Sequence, residues 1–374
     1  MDVSFLQPVF AAPGPYATVC ADVTHTTENA DAELDLRVRA IAEKLTEQGA
    51  PEAVVKAVRD RLLEGNDGGE AGTLRGRAMV VASDGAVVLD EILAAAPARE
   101  SAEWSPQPDL VPVLRQLVGR VPHVVVIADR VGADIVVVGD SGQVEEQQVE
   151  GDTFHMRKVK VGGWAHNTYM HTAENQWEEN LGRVADELDS LARRLPLRFV
   201  LIAGDVRARQ ILADKASGSW SDLIVSMDEG GRAAGADREP VDRRAAELIA
   251  EHEAREIADT MEKVEAASAH GLSVTGTEHV VEALRKGQVE TLVLADEQDD
   301  ATLLVGGSPL ELGVEQQDMD ALGIHGEVVP ADRALVQAAV ASAAAVVVVP
   351  GSALSGTPVA AILRYTDDST DAGS

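Results

Sequence analysis

Apolar and polar positions alternate with a different rhythm in each of three stretches of the chain. In the first, ATVCADVT from Ala17 reads as a strand, and DAELDLRVRAIAEKLTEQG from Asp31 spaces its apolar residues as a helix ending at Gly49. PEAVVKAVRDRLLEG, opened by Pro51 and closed by Gly65, carries the punctuation of a second helix. RAMVVAS and GAVVLDEIL follow as strands around a turn at Ser83-Asp84-Gly85. AAPARESAEWSPQPDLVP then has the proline content of a linker or an extended crossing segment.

The second stretch opens on HVVVIADRVGADIVVVGDSG, where two Val/Ile runs flank Asp129-Arg130-Val131-Gly132 as a hairpin flanks its turn. The pattern predicts a long helix from Thr172 to Leu195, stopped by Pro196. RFVLIAGD is a buried strand leading into the helix VRARQILAD. Gly204 at that strand end is a weak phosphate signal, because no GxGxxG or GxxxxGK accompanies it. The loop DEGGRAAGAD separates these from a charged helix over Val241–Ala269.

The third stretch alternates regularly. GTEHVVEALRKGQVETLVLADE is a helix, a Gly287 cap and a strand; ATLLVGG is a strand; ADRALVQAAVASAA is a helix; AVVVVPG is a strand; and GTPVAAILRY closes the fold. The expectation is an α/β protein of three domains: 1–120, 121–265 and 266–374. A length of 374 residues also exceeds one ordinary core.

Composition narrows the classes. Formal net charge is -31, which argues against general nucleic-acid binding and leaves only local basic patches for RNA. A single cysteine, Cys20, excludes an internal disulfide and fits a reducing compartment. MDVSFLQPVF has no basic residue and does not resemble a secretory signal, so the expected location is cytoplasmic. The run between Arg333 and Arg364 has no charged residue, but Gln337, Pro350, Gly351, Gly356 and Pro358 divide it as a buried core would be divided, so no membrane span is expected.

Candidate chemistry is sparse. His155, His166 and His171 lack the spacing and partners of a metal site, and no metal or cofactor is expected. GxSxG is absent, and Cys20 sits in an apolar strand without an activating base nearby. One segment differs from the rest. From Phe154 through Thr172 the only formal charges are Arg157, Lys158 and Lys160, between flanks rich in Glu. Local cations attract phosphate, and the paired Gly162 and Gly163 let backbone approach a partner closely. A plain surface hairpin tip is the alternative reading.

GTEHVVEALRKGQVETLVLADE and the closing GTPVAAILRY resemble the last domain of archaeal and eukaryotic class I release factors and of Pelota. HVVVIADRVGADIVVVGD resembles the opening hairpin of that family's second domain, ahead of its glycine loop and long helix. The resemblance implies a three-domain, release-factor/Pelota-like α/β fold, with an N-terminal domain toward the decoding side and a C-terminal domain that meets a partner. Release factors carry Gly-Gly-Gln at the loop tip, and here Trp164 stands where the glutamine belongs. The indole has one N–H donor and cannot position water as an amide does. The stop-codon-reading Asn-Ile-Lys-Ser motif is also missing.

Such a departure is similar to bacterial hibernation factors of the Balon type. The resemblance implies a stress-response factor in the A site of the 70S ribosome, against 23S and 16S rRNA, with elongation factor Tu as a further partner. Gly162, Gly163, Trp164, Ala165, His166 and Asn167 would face the peptidyl-transferase centre, and Arg157, Lys158 and Lys160 would meet rRNA. No residue is assigned a catalytic role. The competing enzymatic reading is a peptidyl-tRNA hydrolase that uses another residue, such as Asn167 or Gln176. A third is an interaction module unrelated to ribosomes, favoured by the acidity and opposed by the cation-only segment.

Overall fold

In a computed structural model the described residues are 2–24, 30–64, 76–93, 96–97, 99–118, 121–139, 144–150, 164–232, 236–296 and 300–367, with only the backbone of 30–31, 116–118, 144 and 164–176. The chain forms two compact units, one of Met1–Gly119 with Glu256–Ser374 and one of Arg120–Arg255. The α/β class expected from the pattern is the class observed.

The first unit begins with helix α1 (Gln7–Ala11), strand β1 (Tyr16–Asp22), helices α2 (Ala30–Glu47) and α3 (Glu52–Leu63), strands β2 (Gly76–Ala82), β3 (Val87–Leu93) and β4 (Ser101–Ser105), and helix α4 (Val111–Val118). The strands pair antiparallel in the order β3-β2-β1-β4. Strand side chains alternate, so Ala17, Val19, Met79 and Val81 pack under Leu34, Val38, Leu45, Val54 and Val58 of α2 and α3, while Cys20, Ala78 and Val80 enter the opposite core. The supposed linker holds β4 and the start of α4. Trp104 pairs with Ala17, Leu110, Val113 and Leu114 are fully buried, and Pro112 falls in the first turn of α4, where a missing N–H costs little.

The second unit contains β5 (His123–Ala128), β6 (Gly132–Val138), β7 (Val144–Glu150), α5 (Trp164–Arg194), β8 (Phe199–Gly204), α6 (Val206–Lys215), β9 (Ile224–Ser226) and the start of α7 (Glu239–Ala269). Its sheet runs β7-β6-β5-β8-β9, antiparallel from β7 to β5 and parallel from β5 to β9. Leu181, Val184, Leu188 and Leu191 of α5 join Ala208, Ile211 and Leu212 of α6 on one face. Val241, Ala245 and Leu248 cover Phe199 and Leu201 on the other. Cover on both faces explains the unbroken apolar runs of β5 and β8.

Two boundaries here differ from expectation. VEEQQVE, which reads only as an acidic flank, pairs residue by residue with β6 as an edge strand, a place where charge discourages pairing with another sheet. Helix α5 starts at Trp164 rather than Thr172, because nothing between Trp164 and Thr172 is a glycine or proline, and the nearest upstream breakers are the paired glycines.

The first unit resumes with β10 (Ser273–Thr275), α8 (Thr277–Arg285), β11 (Val289–Ala295), β12 (Thr302–Val305), β13 (Leu312–Gly313), α9 (Gln316–Leu322), β14 (Glu327–Pro330), α10 (Ala331–Ala341), β15 (Ala345–Val349) and β16 (Val359–Leu363). Two sheets result, β10-β16-β11-β15 and β13-β12-β14. Gly287 closes α8 at φ +66°, which favours glycine. The uncharged run is α10, β15, a short 3-10 turn and β16, and among the described residues no helix is long and apolar enough to cross a membrane.

Candidate functional site

Five residues meet at one end of the second unit's sheet. Ala128, the last of β5, lies opposite Gly204, the last of β8, and opposite Ala133; beside it Gly132 of β6 pairs with Glu150, the last of β7. Two glycines permit this. A Cβ on Gly132 would fall on the Val149 carbonyl oxygen, and Gly204, at φ +104°, would place one on the Ala128 carbonyl. The weak phosphate signal at Gly204 is thus answered by close strand packing.

The turn between β5 and β6 is held by its own first residue. Asp129 Oδ1 accepts from the Val131 and Gly132 amides at 2.7 and 2.9 Å, an Asx turn that organises the hairpin. Arg232 approaches the same oxygen at 2.9 Å through Nη1, donates to Asp134 through Nε at 3.0 Å, and lies 3.5 Å from Glu150 through Nη2. Its side chain is only 8% exposed. Burial opposes its charge, but the bonds and charges of Asp134 and Asp129 outweigh burial, so the guanidinium titrates above its ordinary range. Arg238 adds a second ion pair to Asp134 at 3.2 Å.

Arg130, next along the turn, faces the other way. Its Nε donates to Asp205 at 3.2 Å, and its guanidinium carbon lies 4.6 Å from the centroid of the Trp177 ring on α5. The Arg130 carbonyl accepts from Asn180 of α5 at 3.5 Å. Asp205 meanwhile caps α6, accepting from the Arg207 and Ala208 amides at 2.9 and 3.2 Å. A four-residue turn therefore holds strand β7, helix α5 and the start of α6.

Among the predicted site residues, Arg157, Lys158, Lys160, Gly162 and Gly163 lie outside the described residues, as does His155. Trp164, Ala165, His166 and Asn167 form the first turn of α5, on which His171 and Gln176 also lie. From Trp177 back to Trp164 the helix continues for roughly 20 Å at 1.5 Å per residue. Since Trp177 packs at the β5–β6 turn and the later residues of α5 cover the sheet, that length extends past the sheet's end. Cys20 is buried, and burial pushes its thiol up to about 11, which suits packing rather than nucleophilic attack. No group of three metal-ligating side chains occurs among the described residues.

Arg232 and Trp177 were not legible as site residues. Arg232 is one basic residue in a Gly/Ala-rich loop, and its three carboxylate partners come from positions 129, 134 and 150. The available signal was faint: a lone charge flanked by small residues rather than by other charges.

Residues 122–270 match the model of Bacterial archaeo-eukaryotic release factor family 2. Two curated relatives, the uncharacterized proteins Rv2629 and MT2704 of Mycobacterium tuberculosis strains H37Rv and CDC 1551, are each 27% identical over 368 residues, 96% of both chains. Among solved structures, Archaeoglobus fulgidus Pelota is 20% identical, with 79% of this chain and 80% of that one covered and a TM-score of 0.38. A model of ribosome-bound archaeal Pelota and ABCE1 is 15% identical over 96% of this chain and 93% of that one, with a TM-score of 0.39.

Proposed function

We propose that this protein is a ribosome-binding hibernation or rescue factor that occupies the A site of idle or stalled 70S ribosomes without stop-codon-dependent peptide release. One observation carries the reading: inside the region that matches the release-factor family, Gly162 and Gly163 are followed by Trp164 instead of glutamine. Backbone that must pass close to a partner is retained, and the side chain that would orient water is replaced by a flat apolar one. Trp164 stacks on an exposed base, a contact worth about 1–3 kcal/mol. Arg157, Lys158 and Lys160 pair with rRNA phosphates, in a segment from Phe154 to Thr172 that holds no acid.

In this reading residues 1–120 face the decoding side with 16S rRNA, 121–265 carry the Gly-Gly-Trp segment toward 23S rRNA, and 266–374 meet a delivery partner such as elongation factor Tu. The acidic balance of the whole chain then belongs on surfaces turned away from rRNA. The chain acts in the cytoplasm and needs no cofactor.

Co-sedimentation with vacant 70S ribosomes tests this. Three phosphate contacts at about 0.7–0.9 counterions each weaken binding roughly 20–40-fold over a fourfold rise in salt. The double substitution Lys158→Glu with Lys160→Glu abolishes pelleting. A protein that stays in the supernatant at physiological salt contradicts the proposal.

A further inference from the structure

Glu150 and Trp177 are the nearest residues with described side chains on either side of the Gly162-Gly163-Trp164 segment. Each is met by an arginine that bears on the same turn: Arg130 lies in it, and Arg232, from the loop before α7, bonds to it through Asp129. Arg232 reaches Glu150 while bonded to Asp129, and Arg130 lies over Trp177 while bonded to Asp205. We infer that Arg130 within the 129–132 turn and Arg232 bonded to it are positioning residues that set where strand β7 ends and in which direction helix α5 leaves the sheet.

The two arginines differ in how much stability they bring. Arg232 is buried among carboxylates on three separate elements, the turn, β6 and β7, so its loss unties all three. Arg130 is 49% exposed, and an ion pair at such a position adds little to the folding free energy. Its geometry is nevertheless specific. One guanidinium touches the flat face of an aromatic on α5 and the capping carboxylate of α6, so it couples the two helices laterally at the level where α5 leaves the sheet. A lever about 20 Å long magnifies small changes of angle at that point. Loss of Arg130 therefore loosens direction more than it lowers stability, which separates positioning from mere support.

The functional consequence rests on the ribosome reading above; the geometric one does not. The test uses the full chain with Cys20→Ala and spin labels at Thr168→Cys on α5 and Asp214→Cys on α6, read by double electron–electron resonance. The parent gives one narrow distance distribution. Arg130→Ala and Trp177→Ala at least double its width while the melting temperature moves by less than about 2 °C. Arg130→Lys and Asp205→Asn, the latter keeping the helix cap but not the charge, fall between. Arg232→Ala is read by hydrogen exchange, where the β7 amides exchange at least tenfold faster and Arg232→Lys recovers part of the protection.

An unchanged distribution in Arg130→Ala overturns the role of Arg130, and unchanged β7 exchange in Arg232→Ala overturns that of Arg232. The same variants are then pelleted with 70S ribosomes. Broadening together with weaker pelleting supports both the positioning and the ribosome reading. Broadening with unaltered pelleting upholds the positioning and counts against the segment as the ribosome contact.

Discussion

Arg232 in the second unit and Arg333 in the first are both nearly buried guanidiniums surrounded by three carboxylates, yet they are satisfied differently. Arg232 gives one contact to each of Asp129, Asp134 and Glu150, whose side chains are 39, 21 and 64% exposed and so keep part of their hydration. Arg333, 12% exposed, spends both terminal nitrogens on Glu103 at 2.8 Å and also reaches Ser105 at 3.1 Å. Its Nε, the Asp109 Oδ1 atom and the Gln107 Oε1 atom, all buried, have no partner. Burial, with Asp332 and Glu103 nearby and against the opposing Arg333 charge and the Val111 amide hydrogen bond, pushes the Asp109 carboxyl up to about 6, and burial raises Asp332 as well. The lesson is that charge count alone does not describe a buried cluster. Burial of Asp109 and Asp332 makes the Arg333 cluster sensitive to pH.

Arg333→Met gives the largest effect. Removing the cation from between β4 and α10 leaves Glu103, Asp109 and Asp332 without compensation and lowers the stability of the first unit by about 3 kcal/mol, the low end for a broken buried pair because Glu103 is 38% exposed. Urea unfolding measures it, and a loss below that of Arg232→Ala reverses the comparison. Arg232→Ala costs about 2 kcal/mol in the second unit, since its charged hydrogen bonds end on partly hydrated acids.

Asp109→Asn is set apart by its pH signature. The folded carboxyl takes up its proton near 6, above the ordinary 3.8, so its ionised form weakens the fold above pH 6. That penalty shrinks as pH falls through 6 and is gone below about 4. The Asn variant is therefore more stable than the parent at pH 7 and equal to it near pH 4; a constant difference across that window rejects the assignment. Arg130→Ala is the smallest in stability, under about 0.5 kcal/mol, and shows itself in the direction of α5 instead.

Much of the fold was readable from periodicity, because two-sided burial writes itself as runs such as VVVI and FVLIAG. The hairpin at 129–132 and the glycine cap at 287 were equally plain. What escaped has a common cause, namely partners distant in sequence. VEEQQVE becomes a strand only because β6 is beside it, and SAEWS only because β1 offers a free edge. Trp177 gives no hint of a site until Arg130 lies over it, and Arg232 none until three acids converge. The Gly162-Gly163-Trp164 triplet, by contrast, is a local run of residues and needs no structure to be noticed.

The most direct test of occupancy without release loads ribosomes stalled with a labelled peptidyl-tRNA and measures pelleting and freed peptide in one sample, with Trp164→Gln in parallel. The account predicts that the protein pellets with the ribosomes and frees no peptide above background, while Trp164→Gln binds and gains release. Peptide freed by the unsubstituted protein at a rate matching the Gln variant would contradict it.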